Sequence, residues 1–411
     1  MKNYTGKNIL ILGGGHQQVE LIKLAKEYGF KVFLSDNTDD NPGMKLADYT
    51  KKISTFSIED NLSFAKEAGI DFVLTSGTDQ PVYTAAKVSE ELGLPHPINS
   101  IQGLKCTNKK HMKKALKDNN INSPNYIIVN TNDRIDDIPL NFPLVVKPVD
   151  SQGQRGISVI PNNNTYLIKR GVRNACSFSR GKEAIIEEFY AGKEITANVW
   201  LKDGIVNVLM INERLHFDDN IVLGLCKQHK YPSSGTNSLK KENEIIKIIK
   251  QISRALAIYE GPLYVQLING DEGVKVVEFG YRVGGGFEPY FIPIMTNFDI
   301  LKNYFHLVIE GENYYDGKLL NRQYSYGSIN FLFCKKGMVD RIEKPGMFYG
   351  NIFVEKGTVI GEIENGTSRV GYFIVKAGSF DEYLEQIKFF DEGLRVYNKS
   401  GDDILYHGRY E

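Results

Sequence analysis

The sequence has little of what marks secreted, zinc-stabilised or membrane proteins. Only 4 of its 411 residues are cysteine. They occur singly, with no CxxC pair and no histidine at zinc-binding spacing, so neither a disulfide framework nor a zinc site is predicted. No stretch approaches the roughly 20 apolar residues of a transmembrane helix, and the N-terminus leads into a predicted strand without an apolar signal segment. We therefore expect a cytoplasmic protein that does not span a membrane.

The sequence also lacks an excess of charge of one sign. Fifty Lys and Arg residues balance 50 Asp and Glu residues, which disfavours bulk nucleic-acid binding, because that function needs a basic excess. A local basic patch remains open. The hydrophobic share of 42% is typical of globular proteins, and the length exceeds what one core usually supports, so two to four domains are expected.

Strand and helix signals alternate over the first hundred residues. Short apolar runs at 8–12, 31–35 and 71–75 are separated by helical patterns, an order that indicates βαβ units around a parallel sheet. This segment is expected to close near 94–97, where two prolines break any helix.

The rest of the chain mixes strands with amphipathic helices. Strands are predicted at 126–129, 144–149, 157–160 and 184–188, a hairpin at 263–268 and 274–279, and helices at 108–119 and 241–259. From about residue 321 the tail is rich in strand signals. It is expected to end in a helix near 380–390.

A glycine-rich turn, Gly13–Gly15, follows the first strand and opens a helix, and Asp36 ends the next strand. This order is part of a dinucleotide-binding fingerprint, in which a helix start holds a pyrophosphate. The third glycine of the fingerprint is replaced by Gln18. A tight strand-to-helix turn without a nucleotide is therefore favoured, and an NAD(P)-dependent oxidoreductase is the alternative.

Two lysine positions suggest an anion site. Five lysines crowd 105–114, and Lys109 is predicted to begin a helix. A cation there opposes the helix dipole unless an anion binds, although for this stretch taken alone a solvated basic face is the favoured explanation. Lys147 lies in an otherwise apolar strand and needs a charged partner, either a nucleotide phosphate or a protein carboxylate. The glycine-bearing loop 150–157 that follows is able to wrap phosphate oxygens with its backbone N–H groups.

The strand predicted at 184–188 ends in Glu187 and Glu188. Carboxylates and backbone groups at a strand end are able to bind an adenine amine and ribose hydroxyls, although an ordinary strand end is the favoured explanation. His216 and His229, further along, are expected to be solvated loop histidines.

The predicted hairpin carries the strongest site signal. Because side chains alternate along a strand, Gln266 and Glu278 should lie opposite each other or one diagonal step apart. Their oxygens suit Mg²⁺, which takes substrate phosphates as its other ligands. Arg282 offers a planar fork for phosphate or carboxylate. A surface hairpin with an incidental charge is the alternative.

Taken in order, these elements resemble the ATP-grasp superfamily, and within it the carbamoyl-phosphate-synthetase-like and L-amino-acid-ligase branch. The resemblance covers nearly the whole chain. It implies an α/β fold, with a Rossmann-like N-terminal parallel sheet and two α+β subdomains that clasp ATP, followed by a strand-rich C-terminal extension. The implied divisions are an N-terminal domain at 1–105, a small subdomain with the phosphate loop at 106–185, a large subdomain with the metal hairpin at 186–320, and a C-terminal subdomain at 321–411.

The resemblance also assigns roles by position. Lys109 and Lys147 would contact the nucleotide phosphates, and Arg282 with Lys147 would act in catalysis by stabilising a developing acyl phosphate. Gln266 and Glu278 would hold Mg²⁺, with Mn²⁺ as an alternative. The other residues implied around ATP are Ser151, Gln152, Gly153 and Gly156 in the closing loop, Glu187, Glu188 and Phe189 at the adenine hinge, and Glu194 at the ribose.

The implied activity is an ATP-dependent carboxylate–amine ligase that forms an amide through an acyl phosphate and releases ADP and phosphate. One departure from the family is Gly280, where the pattern Glu-x-Asn-x-Arg has a metal-binding asparagine, and it puts a second Mg²⁺ in doubt. The alternatives are an enzyme of the carboxyphosphate or carbamoyl-phosphate type, the oxidoreductase, and a nucleotide-binding protein without turnover.

The expected partners are small carboxylates and amines, such as amino acids or their derivatives, and the sequence identifies neither. Residues 321–411 complete the substrate side or a homodimer contact, and the sequence leaves this open. The segments suspected of substrate contact are 16–17, 75–79, 229–236 and 284–290.

Overall fold

Four β-sheets organise the chain. The computed structural model describes residues 2–133, 135, 138–151, 153, 155–217, 224–234, 236, 238–317 and 324–409. Within these ranges the chain forms ten α-helices, one 3-10 turn, one parallel sheet and three antiparallel sheets. The fold is therefore mixed α/β, as the sequence predicts. No helix in the described ranges is long and apolar enough to cross a membrane.

The N-terminal part is a parallel sheet between helices. Its strands are β1 (Asn8–Leu12), β2 (Lys31–Asp36), β3 (Tyr49–Lys52) and β4 (Phe72–Leu74), and its helices are α1 (Val19–Glu27), α2 (Ile58–Glu67) and α3 (Gln80–Leu92). The strand order is β3-β2-β1-β4, with all neighbours parallel. The predicted parallel sheet is confirmed by this pairing, in which β1, β2 and β4 are largely buried and β3 is exposed.

The glycine turn after β1 is closed by the protein itself. The N–H of Gly14 donates to Oδ2 of Asp36 at 2.8 Å, and a Cβ at Gly14 would meet the side chain of Asn41. The acidic residue of the fingerprint thus binds the turn, which supports the interpretation as a tight strand-to-helix turn.

A small antiparallel sheet follows two helices. The elements are α4 (Ser100–Thr107), α5 (Lys109–Asp118), β5 (Tyr126–Asn130), β6 (Leu144–Pro148), β7 (Ser158–Ile160), α6 (Thr165–Phe178) and β8 (Glu183–Glu188). The strand order is β5-β8-β6-β7. Asn108 caps the N-terminus of α5, because its side chain accepts hydrogen bonds from the N–H groups of Lys110 and His111. Lys109 is therefore the first residue of the helix.

The centre of the molecule is an eight-stranded antiparallel sheet. Its first strands and helices are β9 (Lys193–Lys202), β10 (Ile205–His216), β11 (Cys226–Tyr231), α7 (Leu239–Leu256), β12 (Gly261–Gly270), β13 (Gly273–Gly280), α8 (Glu288–Thr296), α9 (Ile300–Glu310) and β14 (Tyr326–Leu332). The predicted stripe of α7 is confirmed, because Ile245, Ile249, Ile252 and Leu256 are all buried.

The C-terminal part completes this sheet and adds a third one. Its elements are β15 (Gly337–Glu343), β16 (Gly350–Ile352), β17 (Val359–Ile360), the 3-10 turn Gly366–Ser368, β18 (Gly371–Ala377), α10 (Phe380–Gly393) and β19 (Arg395–Asn398). The central sheet runs β13-β12-β9-β10-β11-β14-β18-β16, and β15 joins β17 to β19. The division into four domains at the predicted residues stays a prediction.

Two expectations from the sequence are wrong. The helix predicted near 380–390 is confirmed as α10, but it does not end the tail, because β19 follows it and pairs with β15. His216 and His229 are not loop residues, since they lie on β10 and β11, and His229 is 2% exposed. These strands carry polar side chains among the apolar ones, which hides the strand period in the sequence.

Candidate active site

A cleft of about 420 Å³ lies where the N-terminal, small and central sheets meet. Its walls come from the start of α5, from β6 and the loop after it, from side chains of β9 to β13, and from the loop after β4. Charged residues of both signs form part of its lining. Val145, Ile157, Val159 and Phe189 form an apolar part of the wall at the small sheet.

A buried glutamate holds two lysines at the small sheet. Oε2 of Glu187 lies 2.5 Å from Nζ of Lys147, and Oε1 lies 2.8 Å from Nζ of Lys113. Burial alone would raise the pKa of Glu187, but the charges of Lys113 and Lys147 outweigh burial and hold this pKa at about 2. Of the two partners left open for Lys147, the structure contains the carboxylate, and the phosphate stays a prediction.

Lys109 connects the phosphate loop with the hairpin. Its Nζ lies 3.3 Å from Oε2 of Glu278 and donates to the backbone oxygen of Ser151 at 3.2 Å. Burial lowers the pKa of Lys109, but the nearby carboxylates of Glu278 and Asp79 outweigh burial and raise it. The side chain is therefore a permanent cation at the cleft wall.

The loop after β6 keeps the backbone freedom that a phosphate loop needs. Gly153 and Gly156 have φ of +69° and +73°, a region that only glycine adopts readily. Ser151, Gly153 and Arg155 line the cleft. The predicted contact Gln152 lies outside the described residues.

The two hinge glutamates turn their side chains toward protein partners. Glu187 binds lysines, and Glu188 accepts hydrogen bonds from the side chains of Asn125 and Asn141, each at 2.9 Å. Predicted adenine contacts at this hinge would therefore use backbone groups and the ring of Phe189, which lines the cleft.

Glu194, the predicted ribose ligand, lies at the centre of a polar network. Its Oε1 is 2.6 Å from Nε of Arg214 and accepts a hydrogen bond from Nε2 of Gln266, and its Oε2 is 3.1 Å from Nε2 of His216. The carboxylate faces the cleft, so contact with a ribose stays a prediction.

The hairpin has the predicted register. Gln266 lies directly opposite Glu278, and both line the cleft. Burial would raise the pKa of Glu278, but the charges of Lys109 and Lys147 outweigh burial and hold it at about 2. In the described part of the chain no three His, Cys, Asp or Glu side chains converge as a metal site. One carboxylate and one amide oxygen nevertheless fit Mg²⁺ that takes its remaining ligands from phosphates and water.

Arg282 is fixed beside the hairpin. Its Nε lies 2.5 Å from Oδ1 of Asp79, which belongs to the loop between β4 and α3. Its guanidinium carbon is 4.4 Å from the ring centroid of Tyr264, a cation–π contact. The carboxylate of Asp79 lies close enough to raise the pKa of Arg282, in spite of burial.

Three further polar side chains, those of His229, Arg369 and Cys226, line the cleft. Nδ1 of His229 lies 3.4 Å from Oε1 of the fully buried Glu288, without the alignment of a hydrogen bond. Arg369 donates to the backbone oxygen of Gly285 at 2.9 Å, and its Nε has no hydrogen-bond partner among the described residues. Burial raises the pKa of the Cys226 thiol, but Arg214 and His229 outweigh burial and lower it to about 6.

The structure brings together most of the residues predicted from the sequence and adds others. All four segments suspected of substrate contact place a residue in the cleft: Gln17, Asp79, His229 and Gly285. Arg214, Cys226 and Arg369 were not predicted as site residues, because each lies in a strand or loop without a motif of its own.

The family comparison points to a nucleotide-binding domain. Residues 107–286 match the family model described as phosphoribosylglycinamide synthetase, ATP-grasp (A) domain. The chain is 29% identical over 192 residues to formate-dependent phosphoribosylglycinamide formyltransferase of Prochlorococcus marinus (strain MIT 9515), a match that covers 45% of this chain and 48% of that protein. The chain thus spans about half the length of such curated relatives.

Solved structures resemble the whole fold. Phosphoribosylglycinamide synthetase from Anaerococcus prevotii has a TM-score of 0.75 at 20% identity, covering 96% of this chain and all 100% of that one. L-amino acid ligase from Bacillus licheniformis has a TM-score of 0.74 at 19% identity, covering 97% of this chain and 100% of the other. At these identities the likeness concerns the fold. These two solved structures are named a synthetase and a ligase.

Proposed function

We propose that the chain, of which residues 107–286 match an ATP-grasp domain, is an ATP-dependent carboxylate–amine ligase of the ATP-grasp superfamily. The observation that carries this proposal is the convergence, in one cleft, of Lys109, Lys147, the opposed pair Gln266 and Glu278, and Arg282. Fixed cations beside two side-chain oxygens that are able to bind Mg²⁺ suit phosphoryl transfer, which depends on positioning and charge neutralisation.

In the proposed first step, a carboxylate oxygen of the acid attacks the γ-phosphorus of ATP. The bond to the β,γ-bridging oxygen breaks, ADP leaves, and an acyl phosphate forms. Lys109 and Lys147 bind phosphate oxygens, and Arg282 faces the oxygens on which charge develops. Mg²⁺, or Mn²⁺ in its place, held by Glu278 and the amide oxygen of Gln266 would supply further positive charge at the phosphates.

In the proposed second step, an amine nitrogen attacks the acyl carbon and phosphate leaves. The nitrogen gives its proton to the released phosphate or to solvent, and the product is an amide. Water would hydrolyse the acyl phosphate, so the loop 151–156 is proposed to close over the cleft. The backbone freedom of Gly153 and Gly156 supports such a movement.

The substrates are proposed to lie beside Arg214, His229 and Arg369. All three side chains line the cleft. Arg214 and Arg369 present charge, and nitrogens of His229 and Arg369 have no hydrogen-bond partner among the described residues. Small polar acids and amines, such as amino acids or their derivatives, suit this wall. A homodimer and the role of residues 321–411 in it stay predictions.

Phosphate release tests the proposal. We would measure it with ATP and Mg²⁺ against a panel of amino acids, singly and in pairs. The proposal expects release that needs an acid and an amine together, and that falls about 100-fold or more in Glu278→Ala, because the loss of a group acting on the transition-state charge costs about 3 kcal/mol or more. Glu343→Ala, at an exposed carboxylate of β15, is the matched control.

The outcomes separate the rival functions. Release that needs bicarbonate and no organic acid would favour an enzyme of the carboxyphosphate type. ATP binding without release under any condition would indicate a nucleotide-binding protein without turnover. Binding of NAD(P) with no binding of ATP would refute the ligase.

A further inference from the structure

Asp79 reaches the cleft from the N-terminal sheet. It occupies the N-cap position of α3, yet its side chain makes no capping hydrogen bond to that helix. An aspartate at this position ordinarily binds the N–H groups of the first turn and stabilises the helix. Here Oδ1 instead accepts from Nε of Arg282 at 2.5 Å. The carboxylate therefore binds Arg282, which follows β13, and not the N–H groups of its own helix.

Glycines at the boundary make this contact possible. A Cβ at Gly280 would stand 2.8 Å from Oδ1 of Asp79, closer than such contacts allow. The N–H of Gly77 donates to the backbone oxygen of Val283 at 3.2 Å, and a Cβ at Gly285 would collide with the backbone oxygen of Gly77. The loop after β4 and the segment after β13 are thus packed backbone to backbone.

The contact fixes one edge of the Arg282 guanidinium. Asp79 holds Nε, the backbone oxygen of Val283 accepts from one terminal nitrogen at 3.3 Å, and the ring of Tyr264 covers one face. Arg282 is 8% exposed at its side chain and lines the same cleft as Glu278. A guanidinium held on three sides loses little freedom when it binds a phosphoryl oxygen.

We propose that Asp79 is a positioning residue that holds Arg282 toward the transferred phosphoryl group, and that Gly280 is needed because any side chain there would displace the Asp79 carboxylate. This inference rests on the proposed function. It gives a physical reason for the glycine that departs from the family pattern. It also makes the N-terminal sheet part of the catalytic machinery, since the loop after β4 orients a group of the ATP-binding domain.

The test measures phosphoryl-group recognition without any acid or amine. Binding of MgADP labelled with a methylanthraniloyl group is followed by fluorescence, alone and with aluminium fluoride, which mimics a phosphoryl group in transfer. In the wild-type protein aluminium fluoride should tighten binding. We expect Asp79→Asn and Gly280→Ala each to weaken the aluminium fluoride complex by about tenfold to 100-fold, because a charge-assisted contact is lost. Binding of MgADP alone should change by less than about twofold, which serves as an internal control.

Two further variants sharpen the result. The double variant Asp79→Asn with Gly280→Ala should be no worse than either single variant, because both act on one contact. Asp403→Asn removes another aspartate that lies beside an arginine Nε, at 3.2 Å in the C-terminal part, and should leave both affinities unchanged. Gly280 has an ordinary negative-φ backbone, so alanine there adds no backbone strain and moves only the flexible end of Asp79.

The outcomes that overturn the inference differ from those that overturn the ligase. Asp79→Asn with wild-type affinity for the aluminium fluoride complex would refute the positioning role. An equal loss for both complexes would also refute it, since Asp79 would then be structural. Wild-type protein that binds MgADP without any tightening by aluminium fluoride would overturn it as well. A wild-type protein that binds no MgADP would refute the ATP site itself.

Discussion

Replacing Glu187 with glutamine should destabilise the protein more than replacing Lys113 with methionine. Glu187 is 3% exposed and neutralises two lysines, of which Lys113 is fully buried. Glu187→Gln leaves two cations facing each other without their carboxylate, and removing one partner of a buried pair costs about 3–5 kcal/mol. Lys113→Met leaves a balanced pair of Glu187 and Lys147, and should cost about 1–2 kcal/mol.

The lowered pKa of Glu187 reflects the same two contacts and sets the pH dependence. A pKa held at about 2, below the ordinary value of 4.5, corresponds to about 3 kcal/mol of stability at neutral pH. Because the folded-state pKa is the lower one, this contribution is complete above pH 4.5 and is lost as the pH falls from 4.5 toward 2. The difference between wild-type protein and Glu187→Gln should shrink over the same range.

Urea denaturation followed by tryptophan fluorescence would measure these effects. The chain has one tryptophan, Trp200, which is fully buried on β9. Lys113 donates to the backbone oxygen of Val276 at 3.3 Å, and so links α5 with the sheet that contains this reporter. Glu343→Gln at an exposed carboxylate is the control. A smaller loss of stability in Glu187→Gln than in Lys113→Met would refute the reasoning.

Two other predictions concern the loop and the C-terminal part. Gly156→Ala should raise the KM for ATP several-fold, because φ is +73° and the new Cβ would stand 2.9 Å from Phe178. The control Gly317→Ala has the same φ of +73° but open space around it, and should leave the KM unchanged. Steady-state kinetics would measure both values, and equal KM values would contradict the role of the loop. Asp391→Asn should destabilise the C-terminal part by about 3–5 kcal/mol, because the buried carboxylate pairs with the buried Arg409 at 2.5 Å. Thermal unfolding checks it against the exposed-site variant Asp402→Asn, and an unchanged melting temperature would contradict it.

Local periodicity predicted the hairpin correctly, while contacts between distant segments could not be predicted. The opposed positions of Gln266 and Glu278 follow from strand alternation and one short turn. The partner of Glu187 did not follow, because strand position alone does not say that α5 places Lys113 against it. Predicted contact of this side chain with adenine must therefore compete with two lysines.

The strand β11 was missed for a related reason. It faces a polar cleft and consists mostly of Lys, Gln and His residues (CKQHKY), so its pattern is that of a polar loop. His229 shows the consequence most clearly, since a residue expected in solvent is 2% exposed beside Glu288. Residues of this kind become recognisable only when the sheet places them around one cavity.

Two glutamates that pair with lysines at or beside the cleft differ in how tightly they are held. Glu187 is held at 2.5 and 2.8 Å with a side chain 4% exposed, whereas Glu278 lies 3.3 Å from Lys109 with a side chain 29% exposed. Breaking the first contact would leave charges out of reach of water, which is costly. The contact between Glu278 and Lys109 is partly solvated, so replacing either residue's partner by a ligand costs less free energy. Under the proposed function, Glu278 and Lys109 are therefore the pair that would separate, with the carboxylate binding Mg²⁺ and the ammonium binding phosphates, while Glu187 keeps Lys147 in place.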